Sequence, residues 1–309
     1  MKTHFLILIV LQSALLACSE ESGNELQNDR QSPVFEEIRR PLTQGDEDVV
    51  KVRGEYMELI SEDESEVRIE GRLTDNVGLS QLRIDMHSSN DGHTHARTQS
   101  LPGLRIDEVI GLNGATTYDI ARIINHHERA FRTGPYHILL HAVDEAGNNT
   151  SLADNSSVVR SVYLEREYSP LISLSGDTQA RVRDMSMPAG QALQIDGYLE
   201  QKRAGRDFSI TFIRISLVQD TDRDETTTWD ADKSFEAVWG ESLFLRDNTG
   251  ALLSGEPLPA FENNILSLET LLSQVNHNLS AADDGRVLRI EVEDSGANLA
   301  VREIKLEVL

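Results

Sequence analysis

The sequence predicts an all-β protein built from two tandem β-sandwich domains, preceded by a lipoprotein signal and a flexible tether. Short runs in which every second residue is apolar recur between turn-forming clusters such as Glu145–Asn149. Alternation with a period of two is typical of half-buried strands. Several sequence blocks also occur twice in the same order, and neither a strand–helix–strand crossover pattern nor a phosphate-binding glycine loop is present. These observations favour two copies of one β module.

Matched blocks support the duplication and set the domain boundaries. Each half opens on a Ser-Pro pair and closes on one further strand-like run. Two longer blocks also match, Val67–Leu73 with Leu193–Leu199 and His141–Asn148 with Glu291–Asn298. Matched blocks in the same order indicate a repeated module. We therefore predict a signal peptide over residues 1–17, a disordered tether over 18–31, and β-sandwich domains over 32–167 and 168–309.

The first residues have the pattern of a bacterial lipoprotein signal. Lys2 supplies a positive charge, Phe5–Leu16 forms a short apolar run, and Leu15–Cys18 resembles a lipobox, in which the cysteine becomes acylated. The apolar run is too short to persist as a membrane-spanning helix. Cys18 is the single cysteine of the chain, so no intrachain disulfide can form. We predict lipidation at Cys18; the alternative is an ordinary cleaved signal with an incidental cysteine.

Composition and charge bear on where the protein acts. Residues 19–29 are polar and acidic, and so resemble the surface-export signal of Bacteroidetes lipoproteins. We predict an outer-membrane protein anchored in the lipid bilayer through Cys18 and displayed on the cell surface; an orientation toward the periplasm is the alternative. Acidic residues outnumber basic ones by 52 to 29, for a formal charge of −23. Such a surface repels nucleic acid, so no nucleic-acid partner is expected.

The stretch Gly134–Asn148 resembles the penultimate strand and turn of bacterial Ig-like domains, so both sandwiches are expected to be Ig-like. In an Ig-like sandwich the third and sixth strands are antiparallel neighbours. If these strands are Leu82–His87 and Tyr136–Val143, the end of the first lies beside the start of the second. Short helical turns are predicted within the loops over Asp119–Phe131 and Leu266–Val275.

The densest chemical stretch of the chain lies at the end of the first of these strands. Met86–His95 contains three histidines and a loop glycine. Strand alternation places His87 on the solvent face, and it places His137 on the same face of the neighbouring strand. The two side chains are therefore expected to lie close together, and the loop that carries His93 and His95 should rise at the same end of the sheet.

We predict a zinc or copper ion at this cluster, because imidazole is a common ligand for both metals. The predicted ligands are His87, His93, His95 and His137. Five further residues could orient a ligand or replace one: Asp85, Asp91, His126, His127 and His141, the last of which should lie near Arg83 or Asp85. Seven of the nine histidines fall between His87 and His141. The alternative is an accidental cluster of surface histidines.

A family resemblance covers the first module, about Ser32–Glu167. This part of the chain resembles a family of Ig-like Bacteroidetes lipoproteins that share a domain of unknown function. The resemblance is carried by Gly78-Leu79, His87, Asp91–His95, Tyr136-His137 and Asp144–Gly147. The Asp-Gly-His-x-His loop is the most specific of these features. The resemblance implies metal handling by the histidines, and it implies no enzymatic activity.

The second module lacks the histidine loop. Asp220–Glu225 stands at the corresponding place, where spaced carboxylates could bind calcium, although the glycine and the glutamate of an EF-hand loop are missing. A solvated acidic loop is the alternative. His277 is isolated in the sequence, and Trp229 and Trp239 are expected to pack in the core or against loops rather than stack on a sugar.

Three functions are compatible with these observations. The first is a surface lipoprotein that captures zinc or copper and hands it to an outer-membrane transporter. The second is an adhesion scaffold that binds glycans or proteins without a metal. The third, a zinc hydrolase with Glu128 or Asp85 as base, ranks last because no His-Glu-x-x-His motif occurs. We therefore predict a metal-binding protein that is not an enzyme, with the scaffold as the alternative.

Overall fold

A computed structural model of the chain describes most of the two predicted sandwiches. The described residues are 29–38, 49–52, 55–61, 63–89, 105–126, 131–166, 169–175, 184–201, 208–219, 233–246, 251–275 and 277–309. They form strands almost throughout, with one short α-helix and one 3-10 turn, so the predicted all-β fold of Ig-like sandwiches is confirmed. Within these ranges, the helical segments are too short and too polar to cross a membrane.

Seven strands of the first half form one sheet. They are β1 (Val34–Glu36), β2 (Val49–Val52), β3 (Glu55–Ile60), β4 (Glu66–Ser88), β5 (Arg105–Asn125), β6 (Gly134–Asp144) and β7 (Val158–Leu164). The order across the sheet is β1-β4-β6-β7-β3-β2, and β5 pairs with β4. The β3–β7 pair is parallel, whereas the other strand pairs of this sheet are antiparallel.

The long hairpin of β4 and β5 bends around the core of the first half. The pairing register shifts between residues 74 and 81, yet Ile69 before the shift and Ile84 after it belong to the same buried core. The sequence predicts a turn at Asp75–Gly78, and the side-chain hydrogen bonds typical of such a turn are present at the bend. The Oδ1 atom of Asp75 accepts hydrogen bonds from the N–H groups two and three residues ahead, at 2.9 and 2.7 Å. The strand continues through this bend instead of ending there.

The second half is a sandwich of two sheets. Its elements are β8 (Leu171–Leu174), β9 (Asp184–Met187), β10 (Gly197–Glu200), β11 (Ile210–Val218), β12 (Lys233–Arg246), β13 (Leu252–Ser254), β14 (Ile265–Ser267), α1 (Leu268–Ser273), β15 (Val287–Asp294) and β16 (Leu299–Val308). A three-stranded sheet, β14-β10-β8, faces a six-stranded sheet, β13-β12-β11-β15-β16-β9. Leu199 from the first sheet and Ile290 from the second share one apolar core, in which Trp239 is also buried, as expected for a packing residue.

One predicted helical segment is confirmed and the other is wrong. Helix α1 lies within Leu266–Val275, and its first turn is capped by Ser267, whose side chain accepts a hydrogen bond from the Thr270 N–H. The predicted segment Asp119–Phe131, in contrast, begins inside β5. Ile120 and Ile124 are both buried there, and their spacing suits one face of a strand as well as one face of a helix. Pairing with β4 decides in favour of the strand.

The duplicated sequence blocks at the ends of β6 and β15 form the same turn twice. The backbone N–H of Asp144 donates to the Asn148 carbonyl at 3.0 Å, and that of Asp294 donates to the Asn298 carbonyl at 3.1 Å. In each turn the asparagine N–H donates back to the aspartate Oδ1, at 2.7 and 3.0 Å. The two similar sequence blocks therefore form turns with the same hydrogen-bond pattern.

The two halves meet through a buried apolar cluster and a set of backbone contacts. Val52, Met57 and Tyr163 from the first half pack with Phe212, Phe244, Leu245, Leu299 and Val301 from the second. The Tyr163 hydroxyl donates to the Leu299 carbonyl and accepts from the Val301 N–H, both at 3.1 Å. Residues 167 and 168, at the predicted domain boundary, lie outside the described residues.

Candidate functional site

The candidate site contains two histidines on neighbouring strands. His87 of β4 and His137 of β6 are directly opposite each other in the antiparallel register. Their ring centroids lie 6.0 Å apart, and the ring planes are nearly perpendicular, at 86°. The close approach that the strand phases predicted is therefore present.

The predicted solvent exposure of this pair is wrong. His87 and His137 are only 6% and 5% exposed. Both side chains lie on the outer face of the sheet, but buried polar side chains pack against them. Glu55 of β3 contacts His137, and Asp85, itself buried, contacts His87. Local alternation identified the face correctly, but it could not show which distant side chains cover that face.

Each imidazole is held by one carboxylate. The Nδ1–H of His87 donates to Asp85 Oδ1 at 3.1 Å, and the Nε2–H of His137 donates to Glu55 Oε2 at 3.0 Å. These bonds use opposite ring nitrogens, Nδ1 of His87 and Nε2 of His137. A histidine that ligates a metal commonly donates its other ring N–H to a carboxylate in this way.

Further polar groups fix the two carboxylates. The Arg105 guanidinium donates to both oxygens of Asp85, at 3.2 and 2.9 Å, and the Ser161 hydroxyl donates to Glu55. Burial raises the pKa of Asp85, but the hydrogen bond from His87 and the guanidinium of Arg105 outweigh burial, so the pKa lies below its usual value. Asp85 is therefore ionised at neutral pH and accepts from both neighbours.

The other described histidines have different surroundings. His141 lies opposite Arg83, as expected, and contacts the hydroxyls of Ser157 and Thr150. Burial and the charge of Arg83 lower the pKa of His141, which favours the neutral ring. His126 is fully buried and is bonded to Arg166, with 2.8 Å between Arg166 Nη1 and His126 Nδ1.

Several predicted site residues lie outside the described residues. They are Cys18, Asp91, His93, His95 and His127, together with Glu128 and the acidic run Asp220–Glu225. Among the described residues, the group of three acidic, histidine or cysteine side chains whose donor atoms lie within 4.8 Å of one another consists of Asp29, Asp75 and Asp144. This group contains no histidine.

Sequence reasoning missed Glu55 and Arg105, which complete the histidine cluster. Glu55 begins β3, and the parallel pairing of β3 with β7 joins segments about a hundred residues apart. No local sequence pattern therefore predicts the contact between Glu55 and His137. Arg105 faces His87 across the β4–β5 hairpin. Its place would have followed from predicting the full length of that hairpin.

Comparisons with known proteins identify the first module only in general terms. Residues 17–159, less than half of the chain, match the family model described as a domain of unknown function, DUF4625. This match agrees with the resemblance of the first module to a family without assigned function. No curated protein matches the chain.

Similar solved structures include an α2-macroglobulin, a titin Ig tandem and a bacterial adhesin. Trypsin-activated α2-macroglobulin from Escherichia coli is 7% identical with a TM-score of 0.24, and the match covers 79% of this chain but only 16% of that one. A titin Ig tandem is 10% identical with a TM-score of 0.21, covering 90% and 99% of the two chains. A bacterial ice-binding adhesin is 9% identical with a TM-score of 0.22, covering 91% and 67%. At these TM-scores the likeness carries no argument about function.

Proposed function

We propose that the protein is a surface-displayed lipoprotein that binds a zinc or copper ion through its histidine cluster. The observation that carries this proposal is the pair His87 and His137, in which each ring is held by its own carboxylate through opposite nitrogens. His93 and His95, which follow β4 in the sequence, would complete a site of three or four imidazole ligands.

The arrangement suits a transition metal for two reasons. Imidazole nitrogen is the ligand type that zinc and copper share, whereas calcium and magnesium prefer oxygen. A carboxylate that accepts one ring N–H also fixes the tautomer and raises the basicity of the other nitrogen. Asp85, with its lowered pKa, would perform this task for His87 throughout the neutral range.

The proposed cellular setting follows from the N-terminal sequence. Acylation of Cys18 would anchor the protein in the outer membrane, and the acidic residues that follow favour display on the cell surface. A metal captured there would need a carrier across the membrane, so an outer-membrane transporter is the proposed partner. The proposal includes no catalytic activity.

The experiment is a zinc and copper titration of the chain from residue 19 onward, in competition with a chromogenic chelator. His87→Ala and His137→Ala should each weaken binding by about 100-fold or more, because loss of even an outer hydrogen-bond partner of a ligand costs 10–100-fold. Asp85→Asn should weaken metal binding by about 10- to 100-fold. Affinity should also decrease below about pH 6.5, where free imidazole protonates.

The matched control is His277→Ala. His277 stacks on Phe235 in the second half, with ring centroids 5.0 Å apart, and should not affect metal affinity. Thermal unfolding of each variant separates lost binding from lost folding. If His87→Ala and His137→Ala are folded and bind both metals as tightly as the unaltered protein, the metal proposal is wrong.

A second candidate function, a protein-binding or adhesion scaffold, is favoured by strand β5. This 21-residue strand pairs with β4, and no other described strand pairs with it. Its side chains Val109 and Ile123 are 59% and 55% exposed. A long open strand edge can accept a strand from a partner. Adhesion of beads coated with the protein should fall for Val109→Lys and Ile123→Lys if this edge is used, and should be unchanged if it is not.

A further inference from the structure

Three carboxylates from distant parts of the chain converge at the bend of β4. Asp29 lies just before β1, Asp75 lies in the bend itself, and Asp144 ends β6. Each offers an oxygen atom that lies within 4.8 Å of those of the other two. Asp144 is only 2% exposed, and the other two side chains are half-buried. Asp29 belongs to the segment that the sequence assigns to the tether.

One oxygen of this cluster is buried without a hydrogen-bond donor. Asp75 Oδ1 accepts from two backbone N–H groups, but Asp75 Oδ2 is inaccessible to solvent and has no hydrogen-bond partner. A buried carboxylate oxygen without a hydrogen-bond partner costs free energy, and a bound cation would remove that cost. Elsewhere in the fold Arg105 neutralises Asp85, whereas no ion pair among the described residues involves Asp29, Asp75 or Asp144.

Two asparagines hold the third carboxylate, Asp29, in place. Asp29 Oδ1 accepts from Asn76 Nδ2 at 3.1 Å, and Asp29 Oδ2 lies 3.3 Å from Asn148 Nδ2. Asp29 Oδ1 also accepts from the Gln31 N–H at 3.1 Å. Three carboxyl groups therefore meet at one place, where negative charges at such distances would repel one another.

The matching turn of the second half shows that the turn alone does not produce this cluster. There, Asn298 donates to both oxygens of Asp294 at 3.0 Å, and Asn298 Oδ1 accepts from the backbone N–H of Thr133 at 3.1 Å. Asp144 is held by Asn148 in a similar way, through the backbone N–H and Nδ2, both at 2.7 Å. The difference is that the first copy has two further carboxylates, Asp29 and Asp75, beside the turn.

We propose that Asp29, Asp75 and Asp144 bind a calcium ion. All three supply hard oxygen ligands, and calcium tolerates the irregular geometry of side chains drawn from separate segments, whereas magnesium demands a near-ideal octahedron. Asn76 and Asn148 lie beside the site and can add ligands, because a half-turn of either amide replaces its NH2 group by its oxygen. Water completes the coordination. This site is separate from the histidine cluster and does not depend on it.

Calcium would fasten the end of the tether to the domain. Asp29 is the ligand nearest to the lipid anchor in sequence, and the other two ligands belong to strands of the sheet. A bound ion would therefore fix the direction in which the chain leaves the first sandwich. Extracellular modules bind calcium with dissociation constants of about 10⁻⁴ to 10⁻³ M, and we expect this range here.

The test is calorimetric titration of the EDTA-treated chain, from residue 19 onward, with calcium chloride and separately with magnesium chloride. Calcium should bind in the stated range and magnesium more weakly. Asp29→Asn and Asp75→Asn should each weaken calcium binding by about tenfold or more, since each removes a charged ligand. Asp294→Asn, in the matching turn, is the control and should bind calcium as the unaltered protein does. Asp29 precedes the first strand, so its variant should fold.

Trypsin supplies a second measurement. Cleavage after Arg30 should slow when calcium is added to the unaltered protein, and it should not slow in Asp29→Asn, as followed by mass spectrometry of the released N-terminal peptide. His87→Ala should retain full calcium binding, so failure of the histidine proposal leaves this one standing. The calcium proposal is wrong if no heat of binding appears up to about 10 mM calcium, well above the expected dissociation constant. It is equally wrong if Asp29→Asn and Asp75→Asn bind calcium as tightly as Asp294→Asn.

Discussion

Replacing Glu293 by glutamine should stabilise the protein at alkaline pH and have little effect near pH 5. Glu293 lies in β15 and is fully buried. Its Oε2 accepts from the Ser242 hydroxyl at 2.6 Å, and its Oε1 accepts from the Leu243 N–H at 2.7 Å. Burial, assisted by the nearby charges of Asp294 and Glu291, outweighs these hydrogen bonds and raises the pKa of Glu293 to about 7.

The magnitude follows from linkage between protonation and folding. The pKa rises from 4.5 to about 7 on folding. At 1.36 kcal/mol for each pH unit, the difference corresponds to about 3 kcal/mol of unfolding free energy. Because the folded pKa is the higher one, this stability is fully present below about pH 4.5 and is lost as the pH rises through about 7. Glutamine carries no charge, so the variant should not show this loss.

Urea unfolding of both proteins at about pH 5, 6, 7 and 8 measures the effect, because the slope and midpoint give the unfolding free energy at each pH. The unfolding free energy of Glu293→Gln should exceed that of the unaltered protein by an amount that grows from pH 5 to pH 8, toward about 3 kcal/mol. Glu291→Gln is the matched control on the same strand. Glu291 is fully buried and pairs with Arg214, so its loss should destabilise the protein at every pH. A constant difference between Glu293→Gln and the unaltered protein from pH 5 to 8 would refute the reasoning.

Two further predictions concern the anchor and the junction. Metabolic labelling with a fatty acid should mark the protein expressed in bacteria and should not mark Cys18→Ser; label that persists in the variant would exclude acylation at this residue. Tyr163→Phe should lower the unfolding free energy by about 1–3 kcal/mol, because the buried Val301 N–H loses its acceptor. Tyr136→Phe, which removes a donor to the Arg132 carbonyl, should cost less, and an equal or greater cost in urea unfolding would contradict this account.

The sequence predicted those parts of the fold that depend on local pattern. Alternation placed His87 and His137 on one face, and the antiparallel register then brought them opposite each other. The repeated blocks ending at Asn148 and Asn298 predicted two equal turns, and both are present. These successes share one cause, since each depends on residues that are close in sequence or on one well-defined strand pair.

The parts that could not be predicted depend on long-range placement. The cover over His137 comes from Glu55, whose strand joins the sheet far from the histidines in sequence, whereas Arg105 lies opposite His87 across the β4–β5 hairpin. Ile120 and Ile124 suited a helix and a strand equally, and only pairing with β4 resolved that ambiguity. The approach of Asp29 to Asp75 could not be read from composition, because polar acidic residues before a domain usually indicate a free linker.

The two turns that end at Asn148 and Asn298 also affect whether a further module could be added in tandem. At Asn298 the group that meets the turn belongs to the preceding module, through the Thr133 N–H. At Asn148 the corresponding position is taken by Asp29, whose backbone and side-chain oxygens both lie 3.3 Å from Asn148 Nδ2. Repeat arrays need a distinct end unit that covers the surface where another copy would dock. Asp29 contacts the Asn148 side chain, so a further copy joined head-to-tail through the same turn would first have to displace it.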